Sequence, residues 1–166
     1  MCSTVLSKRR GIQPLSAHAA CVEGYDVVFN MPGLYPIEPA FANLVVQESG
    51  VAYGVLYELS AHDFERLRSF EGKYYADVRL RVRTQAGWAI HAHAFQGRSK
   101  APPRRPSRRY LALLIEGAKE HHLPPDYVKR LQQTPSIHIP VISALVQRFA
   151  HAERLRLLRK LSPRLD

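Results

Sequence analysis

Between residues 78 and 83 the chain alternates without a break, Val78, Leu80 and Val82 on one parity and Arg79, Arg81 and Arg83 on the other. A period of two places the apolar side chains on one face of a strand and the guanidiniums on the other. The segment therefore belongs to a sheet that covers a core on one side and meets water on the other. Gln85-Ala86-Gly87 turns the chain, and Trp88–Phe95 brings it back as the second arm of a hairpin.

The stretch before this hairpin, Ser60–Tyr75, reads as a short helix. Ser60, with Asp63 three residues on, has the form of a capped start, and Gly72 supplies the stop. Phe64 and Leu67 follow at helical spacing. Glu71 lies seven residues after Phe64 and four after Leu67, so it projects from the same apolar face. Burial and the negative end of the helix dipole both penalise a charged carboxylate there, the dipole by roughly 0.3–1 kcal/mol. A carboxyl so placed suits a general acid or base working near neutral pH. The plainer alternative is a frayed last turn with Glu71 in water beside Lys73.

The other elements are read in the same way. Residues 1–20 are expected to be helical or irregular, with Pro14 interrupting any long helix. Strands are expected at Gly24–Asn30, Ala40–Val46 and Val51–Leu59, the last two split by Glu48-Ser49-Gly50, with a proline-rich loop over 31–39. Gly97–Pro106 is a basic, proline-broken loop. Ser107 caps a helix with the stripe Tyr110, Leu111, Leu114, Ile115 and Ala118, and a short helix runs from about Asp126 to Gln132. A basic amphipathic helix is expected over 140–161. The whole is an α+β domain over 1–134 with an appended basic extension over 135–166.

At 166 residues one domain is enough to bury a sizeable core. Two cysteines, Cys2 and Cys21, provide neither a disulfide framework nor a metal-finger spacing, which points to a reducing, cytoplasmic setting, with an organelle as the alternative. No apolar run approaches the roughly 20 residues of a membrane span. The formal charge of +10 raises attraction to anionic surfaces in general. Arg98, Lys100, Arg104, Arg105, Arg108 and Arg109 concentrate part of it, and with the arginine row of the hairpin they could form a phosphate-binding surface. Only Tyr110 offers an aromatic nearby and no nucleic-acid motif is present, so a solvated charged face is preferred to nucleic-acid or membrane contact. His91 and His93 share one strand face as metal ligands can, but a third ligand is lacking and exposed histidines are the simpler account. No serine sits in a nucleophile elbow and no glycine-rich run matches a phosphate loop.

Three stretches together resemble the γ-glutamylcyclotransferase family: Pro39–Ser60 leading into the Phe70-Glu71-Gly72 helix end; Tyr75-Ala76-Asp77-Val78; and 101–127, with its Pro-Pro, Ser107, Tyr110, Gly117-Ala118-Lys119-Glu120 and Leu-Pro-Pro-Asp-Tyr in order. The similarity runs from about Ser3 to Gln133. It implies a small mixed β-barrel flanked by helices, with a cavity at one end. It also implies conversion of a γ-glutamyl compound to 5-oxoproline and a free amino acid or amine, without metal or cofactor. The family's catalytic glutamate falls on Glu71, and family tyrosines near the cavity fall on Tyr75 and Tyr110. One departure is serious. The family opens with a strand and a Tyr-Gly-Ser-Asn loop whose backbone amides cradle the substrate, and Met1-Cys2-Ser3 stands just after where that loop would be. Oxyanion donors are commonly worth about 2.7–4 kcal/mol each, so the chain as given is expected to turn over poorly and its barrel to stand open. The alternative is a catalytically dead relative whose basic loop and tail bind an acidic partner, RNA or a membrane surface. The preferred acceptor amine and the oligomeric state are not legible.

Overall fold

The computed structural model describes residues 5–35, 37–99 and 101–138. Four strands, β1 (Ser16–Pro32), β2 (Ala40–Glu58), β3 (Tyr75–Thr84) and β4 (Ala89–Gly97), form an antiparallel sheet in the order β2-β1-β3-β4. Helix α1 (Ala61–Glu71) joins β2 to β3, and α2 (Arg108–Glu120) and α3 (Pro125–Gln133) follow the sheet. The fold is thus mixed α+β as expected, with every pairing among the described strands antiparallel.

The β3–β4 hairpin has the alternation of its sequence. Leu80 is buried, Arg79, Arg81 and Arg83 are exposed, and Val82 faces Ile90 across the ladder. Gly87 closes the turn at φ 83°, a backbone conformation that costs glycine little. Both helix caps also form as read: Ser60 Oγ accepts from the Asp63 amide and Ser107 Oγ from the Tyr110 amide.

Two expectations need correction. Residues 16–20 are strand, so β1 is far longer than Gly24–Asn30. The segments 40–46 and 51–59 are one strand, β2, rather than two. Glu23 pairs with Val51 and Tyr25 with Val46, so residues 47–50 swell out as a bulge opposite Gly24. Gly50 there packs against the Tyr25 carbonyl, where an added Cβ would sit 2.6 Å from its oxygen. Glu48-Ser49-Gly50 looks like a turn locally, yet the partner strand bridges it. The chain before β1 makes a turn of π-helix over Val5–Arg9. The basic helix expected over 140–161 lies outside the described residues.

The core lies between the β1–β2 part of the sheet and the α2–α3 pair. Ala19, Phe29, Ala40, Leu111, Leu114, Ala118, Leu123, Tyr127 and Leu131 form it. The sheet also curls until its outermost strands touch at one end. The buried Asn43 side chain of β2 accepts from the Gly97 amide at 2.7 Å and donates to the Gly97 carbonyl at 3.3 Å, and Gln96 Nε2 donates to the Leu44 carbonyl at 3.0 Å. At the other end β2 and β4 part, and a groove opens between them.

Candidate active site

The groove has a volume of about 1140 Å³, at the upper end of small-molecule sites or beyond it. Consecutive residues of both outer strands, Gly54–Leu59 and Ile90–Phe95, line it. Side chains of one strand face alternate sides, so consecutive lining residues mean that the groove looks onto the strand edges themselves. Helix α1 roofs it with Phe64, Leu67 and Glu71, the three positions expected to share a face. Phe64 is anchored there by ring contacts with His93 at 4.9 Å and Phe95 at 6.3 Å.

Glu71 is the last residue of α1, and its side chain keeps 17% of its exposure. Gly72 follows at φ 58° and ψ −156°, a region open essentially to glycine, and its amide closes the helix on the Arg68 carbonyl. The carboxylate is not left alone on an apolar wall. Arg10 Nη1 donates to Glu71 Oε1 at 2.5 Å, while the same guanidinium lies 5.6 Å from the centroid of the Phe70 ring. Arg10 is held in place because Leu6 and Ile12, on either side of it, are buried, with the Ile12 amide bonded to the Leu6 carbonyl at 3.0 Å.

Tyr75 opens β3 beside this pair. Burial raises the Tyr75 phenol above its ordinary value, the Glu71 charge adds to the rise, and Arg10 opposes it. Tyr110, on the first turn of α2, is pushed up to about 12, first by burial and then by the charges of Tyr75, Glu38 and Glu71, against a lowering hydrogen bond from the Ala42 amide. Both phenols are therefore neutral hydroxyls near pH 7. Tyr110 Oη accepts from the Ala42 amide at 3.2 Å, so its own proton remains to be donated. Its ring stands edge-on to Phe29 and Phe41, at 6.4 and 5.1 Å. The three expected site residues are thus electrostatic neighbours, and of the three only Glu71 lines the groove.

Of the other candidates, His91 and His93 also line the groove. His93 Nδ1 pairs with Asp77 Oδ1 at 2.8 Å, and no group of three metal-capable side chains occurs among the described residues. Arg79 and Arg81 stand exposed on the hairpin face they share with their cross-strand partners His93 and His91. No described helix is long and apolar enough to cross a membrane.

Residues 51–131 match the AIG2-like family. Over 147 residues the chain is 29% identical to the γ-glutamyl cyclotransferase gliK of Claviceps purpurea, with 81% of this chain and 66% of that protein covered. A solved structure of a γ-glutamyl cyclotransferase superposes with a TM-score of 0.71 at 19% identity, covering 89% of this chain and 95% of that one. The chain is similar to a γ-glutamyl cyclotransferase in sequence and to another in fold. A crystal structure of an uncharacterized Homo sapiens protein superposes equally well, with a TM-score of 0.71 at 19% identity over 88% of this chain and 94% of that one. At such identities the two structures speak for the fold, which is the γ-glutamylcyclotransferase-like one. The chain spans about two thirds of the length of the curated relative.

Three charged groups that pair or act electrostatically near these residues are not read as site residues in the sequence: Arg10, Glu38 and Arg109. Arg10 sits in a basic triplet that reads as general charge. Arg109 belongs to the cationic loop run, yet in the fold its Nη2 pairs with Glu38 Oε2. Glu38 stands in a proline-rich loop with no periodicity, and no local pattern marks it.

Proposed function

We propose that the protein is a cofactor-independent γ-glutamylcyclotransferase that releases 5-oxoproline and a free amino acid or amine, with Glu71 as its proton shuttle. The observation that carries this reading is a largely buried carboxylate at a helix end, facing a groove, its charge felt by the phenols of Tyr75 and Tyr110. Glu71 takes a proton from the α-ammonium of a γ-glutamyl compound, and the freed amine attacks its own γ-carbonyl carbon. The new C–N bond closes a five-membered ring; the tetrahedral centre then expels the acceptor nitrogen, which receives the first proton back from Glu71 and leaves as an ammonium with the second proton, shed by the ring nitrogen as it becomes an amide. No electrons or co-reactants enter or leave.

The attack is intramolecular, so a site that holds the glutamyl arm folded supplies much of the acceleration. Arg10 fixes the orientation of the Glu71 carboxylate through Oε1 and leaves Oε2 for the substrate proton. A neutral Tyr110 hydroxyl, anchored by the Ala42 amide, has a proton to offer an oxygen on which charge develops. The substrate is a small molecule, and a reducing cytoplasmic setting accords with the two cysteines. The test is 5-oxoproline release from γ-glutamyl-alanine by the full-length protein. Release should fall by about a hundredfold or more in Glu71→Gln, at the low end of what a positioned acid–base group contributes. Unchanged release in that variant would remove Glu71 from the chemistry.

A further inference from the structure

His93 lines the same groove as Glu71, on the wall that β4 supplies. Its ring rests 4.9 Å from that of Phe64, which shares the roofing face of α1 with Glu71. The ring is held from one side: Nδ1 lies 2.8 Å from Asp77 Oδ1. An ionised carboxylate can only accept, so Nδ1 donates, and Nε2 is left without a partner among the described residues. Asp77 is steadied in turn by Arg68, whose Nε stands 3.9 Å from Oδ2. The groove therefore presents an oriented imidazole with one ring nitrogen to spare.

Its distance from Glu71 matches the acceptor half of a γ-glutamyl amino acid. Phe64 and Glu71 are two helical turns apart, about 10.5 Å along the axis at roughly 1.5 Å per residue. His93, beside Phe64, is thus on the order of 10 Å from the Glu71 end of the groove. In a substrate folded for attack, the α-nitrogen sits about 3 Å from the γ-carbonyl carbon, and the acceptor's carboxylate lies about 4 Å beyond it. A hydrogen bond of about 2.9 Å at each end extends the reach to roughly 13 Å, the same scale. The substrate's other carboxylate shares a carbon with the α-ammonium and stays near Glu71. The charge around His93 also suits an anion, since exposed Arg79 is its cross-strand partner and Arg68 lies beyond Asp77.

We propose that His93, oriented by Asp77, binds the carboxylate of the acceptor amino acid through Nε2–H, so that the site takes γ-glutamyl amino acids in preference to γ-glutamyl amines. This rests on the γ-glutamyl reading above and names the substrate class within it. The imidazolium donates from both nitrogens, to Asp77 on one side and to the substrate on the other. Asp77 stabilises the charge that this requires. His93 touches the substrate away from the reacting atoms, so its contribution falls on KM more than on kcat.

The test compares γ-glutamyl-alanine with γ-glutamyl-alaninamide, which differ only in the acceptor's carboxylate. 5-Oxoproline release is measured at physiological ionic strength, where diffuse attraction to the basic surface is screened. In the wild-type protein kcat/KM should favour the carboxylate at least tenfold, as a charge-assisted hydrogen bond implies. In His93→Gln the two substrates should come within about twofold of each other, with KM for γ-glutamyl-alanine changing more than kcat. The His93 side chain is 51% exposed, so this substitution does not threaten the fold. Asp77→Asn should reduce the preference at least threefold, whereas His91→Gln, at the neighbouring groove histidine, should retain it. No preference in the wild type, an undiminished one in His93→Gln or Asp77→Asn, or an equal loss in His91→Gln would overturn the proposal and leave the γ-glutamyl reading standing. No release from either substrate by the wild-type protein sinks that reading and the role of His93 with it.

Discussion

Tyr75 and Tyr110 carry the same group under different obligations. Tyr110 Oη is the acceptor for the Ala42 amide, a bond that joins α2 to β2. Removing it in Tyr110→Phe leaves a backbone donor without its partner, at a cost of about 1–3 kcal/mol. No such bond ties Tyr75 to the backbone among the described hydrogen bonds, so Tyr75→Phe should change stability by less than about 1 kcal/mol. If both phenols serve the reaction, both variants lower kcat/KM, by about tenfold each, the size of one lost hydrogen bond. Urea unfolding beside 5-oxoproline release separates the two effects. A Tyr75→Phe protein as unstable as Tyr110→Phe would show that the hydroxyl of Tyr75 also carries structure.

At the level of elements, what was legible in the sequence is what is local. The Ser60 and Ser107 caps, the alternation through Val78–Arg83 and the glycine stop at Gly72 each lie within a few residues of their effect, and each forms as read. The side-chain interactions that join distant parts of the fold are separated by 61 residues for Arg10–Glu71, 71 for Arg109–Glu38 and 54 for Asn43–Gly97. No periodicity reaches that far. A bulge defeats local reading for the same reason, since residues 47–50 carry turn chemistry and only the partner strand shows that β2 runs through. Asn43 is the clearest case of an unreadable residue with structural consequence. Its amide replaces a ladder rung between β2 and β4 and also donates to Asn30 Oδ1 at 2.9 Å. Asn43→Ala breaks these bonds and leaves the Gly97 amide and Asn30 Oδ1 without these partners, so the loss should be about 2–4 kcal/mol. Because Gly97 faces Tyr75 in the hairpin register, the same variant should lower activity beyond its effect on stability. Chemical denaturation and turnover at a temperature where the variant stays folded check the two parts, and a loss below about 1 kcal/mol would mean that the sheet closes without this bridge.

For the whole molecule, charge and burial pull stability in opposite directions as pH rises. The formal +10 near pH 7 is self-repulsive, and alkali relieves it as lysines discharge. Against this stand two phenols, Tyr110 and Tyr127, each pushed up to about 12 chiefly by burial. Unfolded, each would ionise near its ordinary value of about 10, so between about pH 10 and 12 the unfolded chain binds fewer protons than the native one. Stability must then fall as pH rises through that window, by about 3 kcal/mol for each phenol, or roughly half of a typical domain's total for the pair. Relief of diffuse surface repulsion is a smaller effect at ordinary ionic strength, so the phenols should win. Tyr127 allows a sharper test because its hydroxyl is buried with no hydrogen-bond partner. Tyr127→Phe removes an unsatisfied group from the core, so at pH 7 it should be neutral or more stable by about 1 kcal/mol, the reverse of Tyr110→Phe. It should also remove about half of the alkaline loss. Tyrosinate absorbance and far-ultraviolet circular dichroism followed together through this window measure both effects, and a Tyr127→Phe protein that unfolds in alkali at the same pH as the wild type would show that burial of this phenol does not govern the transition.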